Sequence, residues 1–210
     1  MSDAMVTAIC SMMVSLVTII LGFIQKYNQR TKDKMTDLKI DLIKKEADQR
    51  SYMRSKNSAT VYSELHEILY RTKAIRVYVI QPHPLGNSDF LSIQYEVKRK
   101  GISGMKDNVQ SLPMCDMAVF CRSLTDNLYM YYPDINTDIK DKMAKSLLSV
   151  NGCKAVAIKR LNSATDWVGN IFCEFSDDPE VTEEEIQKVL QDAAVNIQFI
   201  LPEFKEVPIK

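Results

Sequence analysis

An uncharged apolar run near the N-terminus constrains this chain more than any other feature of its sequence. Residues 5–24, MVTAICSMMVSLVTIILGFI, contain no charged side chain. A helix of this length spans about 30 Å, the thickness of the hydrocarbon core of a bilayer. The run lacks the basic start and the Ala-x-Ala-like cleavage site of a secretory signal peptide, and a buried core helix is seldom apolar on every side. We therefore predict a transmembrane anchor over residues 1–25.

The charges that flank this run predict its orientation. Asp3 is the only charged residue before it, whereas five basic residues follow it closely: Lys26, Arg30, Lys32, Lys34 and Lys39. An excess of basic residues marks the cytoplasmic side of a span. We expect a single-pass membrane protein with its C-terminal part in the cytoplasm. The five cysteines form no CxxC pair, as expected for reduced thiols.

The segment that follows the anchor is basic. Residues 25–60 contain ten Lys or Arg against five Asp or Glu, a net charge of +5, whereas residues 174–206 contain ten acids against two lysines, a net charge of −8. Basic side chains beside a span attract anionic lipid headgroups, and we assign that contact to Lys26, Arg30, Lys32 and Lys34. Few aromatic residues interleave with the basic ones, so the pattern does not predict nucleic acid as a partner.

Small and hydroxyl side chains of the anchor recur at helical spacing on one face: Thr7, Ser11, Ser15, Thr18 and Gly22. Small residues let two helices approach closely in lipid, and hydroxyls can bond across the contact, so this face favours self-association into a homo-oligomer. The same hydroxyls can instead bond to the preceding turn of their own helix while they face lipid. The sequence leaves both interpretations open.

A long helix is predicted after the anchor, because residues 25–73 contain neither Pro nor Gly. Its part 26–58 has only a thin apolar stripe, which includes Met35, Leu38 and Leu42. Three interpretations of this basic stalk remain open: a solvated helix, a weak parallel coiled coil completed by partner chains, or two helices with a break near Asn57. Amphipathic character returns from residue 59 onward, where the helix should pack on the domain that follows.

Residues 59–203 have the pattern of one α+β domain, and residues 204–210 form a tail. Alternating apolar residues predict a roughly five-stranded, mainly antiparallel sheet with strands at residues 75–84, 90–102, 128–135, 154–161 and 168–176. Within the second strand, the alternation places Leu91, Ile93, Tyr95 and Val97 on one face. The sequence thus predicts a sheet that is flanked by helices.

Those helices are predicted from apolar spacing and from their start and stop signals, at residues 112–124, 139–152 and 182–201. Thr182 is followed by Glu185 three residues later, which is the pattern of a helix N-cap. Pro202 follows the last helix and cannot continue it.

Motifs of common enzymes and of metal sites are missing from the sequence. It contains two histidines 17 positions apart, scattered cysteines, and neither a glycine-rich phosphate loop nor a nucleophile elbow. The acids in residues 177–185 lack the spacing of a calcium-binding loop. We therefore expect no enzymatic activity, no metal and no cofactor.

Four residues of the domain are candidates for a ligand pocket: His83, Tyr95, Cys115 and Tyr131. His83 comes just past a strand, where loop residues often line ligand sites, although a histidine in a surface turn is the alternative. Cys115 belongs to a Cys- and Met-rich helix, in which such side chains also serve as core filler. Tyr131 lies on a strand with one face available to a partner.

The order of elements over residues 60–201 resembles that of GAF domains. The segments that carry the resemblance are IRVYVIQPHP, AVAIKRL, WVGNIFCEFS and the acidic helix TEEEIQKVLQDAAVNI. The resemblance implies a GAF/PAS-like fold with a pocket for a regulatory small molecule.

The complete layout of anchor, stalk and one such domain is similar to that of membrane-anchored GAF-like proteins of tailed phages. It also resembles T-type holins of T-even phages, which ATVYSELHEIL, AIRVYVIQ and PMCDMAVFCRSLTDNLYMYY loosely match. Those holins look like proteins with a cytoplasmic N-terminus, a longer basic N-terminal tail and a periplasmic domain. Here the basic cluster follows the span, so the chain either has the inverted topology or shares only the architecture.

Two classes of function follow. In the first, the chain is a phage-encoded, membrane-organising or holin-like lysis protein, whose anchor self-associates while the domain receives a regulatory partner. In the second, it is a cytoplasmic sensor module that is tethered to the membrane and binds a small molecule or a protein partner, which changes the pairing of the stalk helices.

Overall fold

The computed structural model describes residues 29, 44–45, 52–53, 56–85, 88–163 and 166–201. The chain divides into two compact units, Met1–Arg54 and Ser55–Lys210. In the first unit, each of the described residues is helical. Among the described residues, no helix is both long and apolar enough to cross a membrane.

The anchor predicted from the sequence lies outside the described residues. The same is true of its small-residue face (Thr7, Ser11, Ser15, Thr18 and Gly22) and of the residues assigned to lipid headgroups (Lys26, Arg30, Lys32 and Lys34). These assignments stay predictions.

The second unit is built on one six-stranded sheet in which every strand pairing is antiparallel. Its strands are β1 (Arg76–Leu85), β2 (Ser88–Lys98), β3 (Leu112–Pro113), β4 (Tyr129–Tyr132), β5 (Ala155–Ser163) and β6 (Asp166–Phe175). The order across the sheet is β3-β2-β1-β6-β5-β4, so that the two long hairpins meet at the central β1–β6 pairing. The predicted α+β class and antiparallel sheet are confirmed.

Helices cover both faces of this sheet. They are α1 (described over residues 56–72), a 3-10 turn (Met114–Met117), α2 (Ala118–Asp126), α3 (Ile135–Asp138), α4 (Lys142–Val150) and α5 (Glu183–Ile197). Helices α1 and α5 pack on one face through residues such as Leu65 and Leu190, which are fully buried. The 3-10 turn, α2, α3 and α4 cover the other face through residues such as Phe120 and Leu148. The domain therefore has two separate apolar layers, one on each side of the sheet.

The alternation predicted for β2 is wrong, because a β-bulge interrupts it. Val79 pairs with Tyr95 but the next residue, Ile80, pairs with Ile93, which leaves Gln94 as an extra residue in β2. An extra residue reverses the side to which the following side chains point. Tyr95 therefore packs in the α1 and α5 layer, whereas Ile93 packs in the opposite layer.

Two further predictions need correction. The segment predicted as a helix over residues 112–124 begins as the short edge strand β3 and a 3-10 turn, so the sheet has six strands instead of five and α2 starts only at Ala118. The helix predicted over residues 139–152 starts at Lys142, because Asp141 is its N-cap and accepts hydrogen bonds from the amides of Met143 and Ala144.

The N-cap predicted for the last helix is confirmed. The Thr182 hydroxyl accepts a hydrogen bond of 3.3 Å from the amide of Glu185. The acids in the first turn of α5 lie where the helix dipole favours negative charge. The helix ends at Ile197, before the predicted residue 201.

Candidate functional site

The face of the sheet opposite α1 and α5 encloses an apolar cavity of about 20 Å³. Its floor consists of the strand residues Tyr78, Ile80, Leu91, Ile93 and Phe172. Its roof consists of Met105, Val109, Met117, Phe120, Leu124, Ala144, Leu147 and Leu148. This volume is about that needed for one water molecule, but the lining offers almost no polar partner that would hold water. The site therefore suits an apolar group.

Side chains of the roof differ in how easily they can move. Met105 and Met117 are buried, and methionine is unbranched with three rotatable bonds, so it adapts to gaps of different shape. The aromatic floor is more rigid, because the rings of Tyr78 and Phe172 stack with centroids 4.9 Å apart. The roof residue Phe120 lies over this floor, with its ring centroid 6.3 Å from that of Phe172. The cavity can thus enlarge toward its roof more easily than toward its floor.

A buried charge network lies at one end of the cavity. Tyr78 turns its ring to the cavity while its hydroxyl donates a hydrogen bond of 2.7 Å to Oε1 of Glu174. The Arg76 guanidinium donates to Oε2 of the same carboxylate from Nε at 3.1 Å and also from Nη2. Arg76 and Glu174 have no exposed surface. A charged pair at this depth is tolerated because its hydrogen-bonding groups are satisfied.

Burial and charge act in opposite directions on the Glu174 carboxyl. Loss of hydration raises its pKa above the ordinary value of 4.5, and the nearby Arg76 guanidinium and Tyr78 hydroxyl oppose that rise. Burial also raises the pKa of the Tyr78 hydroxyl well above 10, with the negative charge of Glu174 as the next cause. Tyr78 is thus held as a neutral donor at the edge of the cavity.

The buried thiols are protonated at neutral pH. Burial raises the pKa of Cys121 to about 11 and that of Cys173 to about 12, and it also raises the pKa of Cys153. A thiol reacts through its thiolate form, so these three side chains are poor nucleophiles. Among the described residues, no group of His, Cys, Asp and Glu side chains could hold a metal ion.

None of the four candidate pocket residues lines the cavity. Tyr95 on β2 and Tyr131 on β4 both pack in the α1 and α5 layer, with three strands between them. The Tyr95 ring meets that of Tyr62 edge-on at 5.5 Å. His83 lies within β1, where its Nε2 is 2.9 Å from the Ser92 hydroxyl. Cys115 is exposed on the 3-10 turn.

Two charged residues within otherwise apolar strands indicate the buried network, although neither belongs to a known motif. Arg76 and Glu174 each occupy a strand position whose neighbours are apolar on both sides, in IRVYVI and IFCEFS. A charged residue within a strand buried on both faces needs a partner. Their pairing across β1 and β6 places the two charges directly opposite each other.

Neither a known protein family nor a curated protein sequence matches the chain. Solved structures do match it. The blue-light absorbing form of the Thermosynechococcus elongatus PixJ GAF domain has a TM-score of 0.56 and 11% identity, over 70% of this chain and 87% of that chain. The phycocyanobilin-bound GAF domain of a cyanobacterial phytochrome has a TM-score of 0.53 and 15% identity, over 71% and 89%.

A third match is the GAF domain/HD domain protein from Geobacter sulfurreducens, with a TM-score of 0.51 and 11% identity, over 70% of this chain and 95% of that chain. At identities this low, the structural similarity establishes the fold but not the ligand or the activity. All three matched structures contain a GAF domain and extend over about the same share of this chain. The second unit of this protein has a GAF-like fold.

Proposed function

We propose that the GAF-like domain is a sensor module that binds a small, uncharged, largely apolar molecule in the cavity between the sheet and helices α2 and α4. The observation that carries this proposal is the apolar cavity itself, roofed by the movable side chains of Met105 and Met117. The GAF-like fold supports it, since one structural relative is a GAF domain bound to phycocyanobilin. The apolar lining disfavours an ionic ligand, because an unpaired charge is costly to bury.

Binding of a small molecule needs a larger cavity than the one in this structure. Sites for small molecules commonly measure about 300–1,000 Å³, whereas this cavity measures about 20 Å³. Rotation of Met105, Met117 and Leu147 would open space between the roof and the aromatic floor. The ligand then selects the open conformation from those that the domain already samples.

Strand β1 connects the cavity to the opposite layer of the domain. Tyr78 and Ile80 line the cavity, whereas Val77 and Val79 pack in the layer of α1. We propose that a ligand shifts β1 and thereby α1, the helix that follows the N-terminal part of the chain in sequence. The sequence of that part supports a tether to the inner membrane with the domain in the cytoplasm, and self-association of the anchor.

The membrane-organising, phage-encoded and holin-like interpretation depends on residues outside the described ones and stays a prediction. We propose the sensor function without enzymatic activity, metal, cofactor or nucleic acid. The cavity supports a binding role, because its lining offers neither a nucleophile nor a set of metal ligands.

An NMR titration with benzene tests the proposal. The full-length chain carries ¹³C-labelled methionine methyl groups, and benzene serves as an apolar probe. We expect saturable shifts at Met105 and Met117, which line the cavity, and none at Met143, which is 42% exposed and lies outside the lining.

The matched variant is Ala144→Leu, which fills the roof of the cavity with a larger side chain. It should abolish the shifts at Met105 and Met117 while the remaining methyl spectrum stays native. Shifts that are no larger at these two residues than at Met143 would refute the proposed function.

A further inference from the structure

The cavity is closed at one side by the edge segment, residues 99–111, which connects β2 to β3. Two residues of this segment, Met105 and Val109, are buried and form part of the roof. The segment has turns instead of a regular helix or strand. A ligand that enters from this side must displace it.

The first half of the edge segment is held by the carboxylate of Glu96, whose side chain is 7% exposed. Oε1 of Glu96 accepts a hydrogen bond of 2.7 Å from the amide of Met105, and its Oε2 accepts one of 3.1 Å from the amide of Lys106. A β-carbon at Gly104 would lie only 3.0 Å from Oε2 of Glu96. The carboxylate and the backbone of the segment are therefore in close contact.

Arg76 adds a second link to the same half of the segment. Its Nη1 donates a hydrogen bond of 2.7 Å to the carbonyl oxygen of Ser103, and its Nη2 donates one of 3.2 Å to that of Asn151, just after α4. The Nε of Arg76 lies 4.0 Å from Oε1 of Glu96. One guanidinium thus joins the segment, the end of α4 and the carboxylate of Glu174.

The second half of the edge segment is attached directly to β2. The amide of Ile93 donates a hydrogen bond of 3.0 Å to the carbonyl oxygen of Val109. The side chain of Gln110 donates to the carbonyl oxygen of Ile93, and the amide of Ser111 donates to the Ser92 hydroxyl. This half is anchored directly next to the strand. The first half is instead held by side chains, those of Glu96 and Arg76 and that of Lys98, whose Nζ donates a hydrogen bond of 2.8 Å to the carbonyl oxygen of Ile102.

We propose that the edge segment is a lid over the cavity and that Glu96 is its latch. When the Met105 and Lys106 amides leave the Glu96 carboxylate, the first half swings away and withdraws Met105 from the roof, while the bonds to Ile93 and Ser92 act as the hinge. This movement also breaks the bond from Nη1 of Arg76 to Ser103, while Arg76 keeps its bonds to Glu174, so that the guanidinium stays paired with a carboxylate. The lid extends the proposed function, and it rests on that function only for the identity of the molecule that enters the cavity.

Amide hydrogen exchange of the full-length chain, followed by NMR, tests the latch without any ligand. In Glu96→Gln, an NH2 group replaces one carboxylate oxygen, so the neutral side chain can accept a hydrogen bond from the amide of Met105 or of Lys106 but not from both. We expect exchange at Met105 and Lys106 to accelerate about tenfold, the factor for loss of one hydrogen bond to a charged group. Exchange at Tyr78 and Phe172, in the central strands, should not change.

Glu180→Gln is the matched control. Its carboxylate forms an exposed ion pair with Lys73, far along the chain from the lid, and the substitution should leave exchange at Met105 and Lys106 at the native rate. Unchanged exchange at these amides in Glu96→Gln would overturn the latch. Equal acceleration at Tyr78 and Phe172 would also overturn it, because the carboxylate would then support the whole core.

Gly104→Ala provides a second variant in case Glu96→Gln does not fold. Its added methyl group presses on Oε2 of Glu96 and should accelerate the same two amides, and native exchange rates there would count against the latch. The benzene titration separates the two proposals. Faster amide exchange in the lid of Glu96→Gln, without benzene binding to the native chain, would retain the latch and reject the sensor function. Benzene binding together with unchanged amide exchange would retain the sensor function and reject the latch.

Discussion

The hydroxyl of Tyr78 donates a hydrogen bond of 2.7 Å to Oε1 of Glu174, at the boundary between the apolar cavity and the buried charge network. The Tyr78 ring stacks on Phe172 in the cavity floor, while its oxygen belongs to the network that Arg76 completes. One side chain thus belongs to both parts of the site. A change in the position of the ring changes the hydrogen bonding of a buried carboxylate.

Loss of the Tyr78 hydroxyl should destabilise the domain. In Tyr78→Phe the ring remains but Glu174 lacks one donor, and we expect the free energy of unfolding to fall by about 2 kcal/mol. Urea denaturation of the chain, followed by the fluorescence of Trp167, measures this change. Tyr70→Phe is the control, since Tyr70 is 86% exposed and its loss of a hydroxyl should cost less than about 0.5 kcal/mol. Equal losses of unfolding free energy in Tyr78→Phe and Tyr70→Phe would contradict a stabilising role of the Tyr78 hydrogen bond.

Removal of the Arg76 guanidinium should lower the free energy of unfolding more than loss of the Tyr78 hydroxyl does. Arg76→Ala leaves the Glu174 carboxylate buried without its positive partner, and we expect a loss of about 3–5 kcal/mol. The matched substitution is Arg71→Ala, because Arg71 forms an exposed ion pair with Glu67 that contributes about 0.5 kcal/mol or less. Denaturation midpoints of the two variants measure the difference. Similar midpoints would show that the buried pair does not support the fold.

Gly169 should not tolerate a side chain. It has a φ of +148°, and a β-carbon there would lie 2.4 Å from the carbonyl oxygen of Ile80. We expect Gly169→Ala to cost more than about 2 kcal/mol, from backbone strain and the clash together. Gly152 also has a positive φ, +77°, but a β-carbon there would meet nothing within 4 Å, so Gly152→Ala should cost only about 1 kcal/mol. Thermal unfolding compares the two, and a smaller cost at Gly169 would contradict this packing.

Stability should fall in mildly alkaline solution because of the Cys121 thiol. Its pKa rises from 9.0 to about 11 in the folded chain, so between these values the folded state binds more protons than the unfolded state. Since the free energy of unfolding then decreases as pH increases, the contribution of Cys121 is complete below pH 9 and is lost toward pH 11. Urea titrations from pH 8 upward should show a shallower decline in Cys121→Ser. Identical slopes would show that this thiol is not protected by burial.

Local patterns predicted much of the fold. The alternation in IRVYVI and AVAIKRL indicated strands that the structure confirms as β1 and β5. The Thr182 cap was also visible, because capping depends on residues three positions apart. These features need only short-range chemistry, which a single sequence contains.

Other features depend on contacts that the sequence alone does not reveal. The bulge at Gln94 separates Ile93 from Tyr95 onto opposite faces, although strict alternation would place them together. The two-residue strand β3 is too short to produce a pattern and exists because Leu112 and Pro113 pair with β2. The cavity likewise arises where three strands, three helical segments and the lid meet, so no local pattern in the sequence indicates that His83 and Cys115 lie outside its lining.

Diffraction from crystals of the chain pressurised with xenon would test the central claim most directly. Xenon is apolar, binds in dry cavities and scatters strongly enough to be located. We predict a xenon atom between the Phe172 ring and the roof residues Met105 and Met117, with both methionine side chains displaced, and no xenon there in Ala144→Leu. Crystals in which xenon binds only at the surface, with the roof unchanged, would contradict a ligand-binding cavity in this domain.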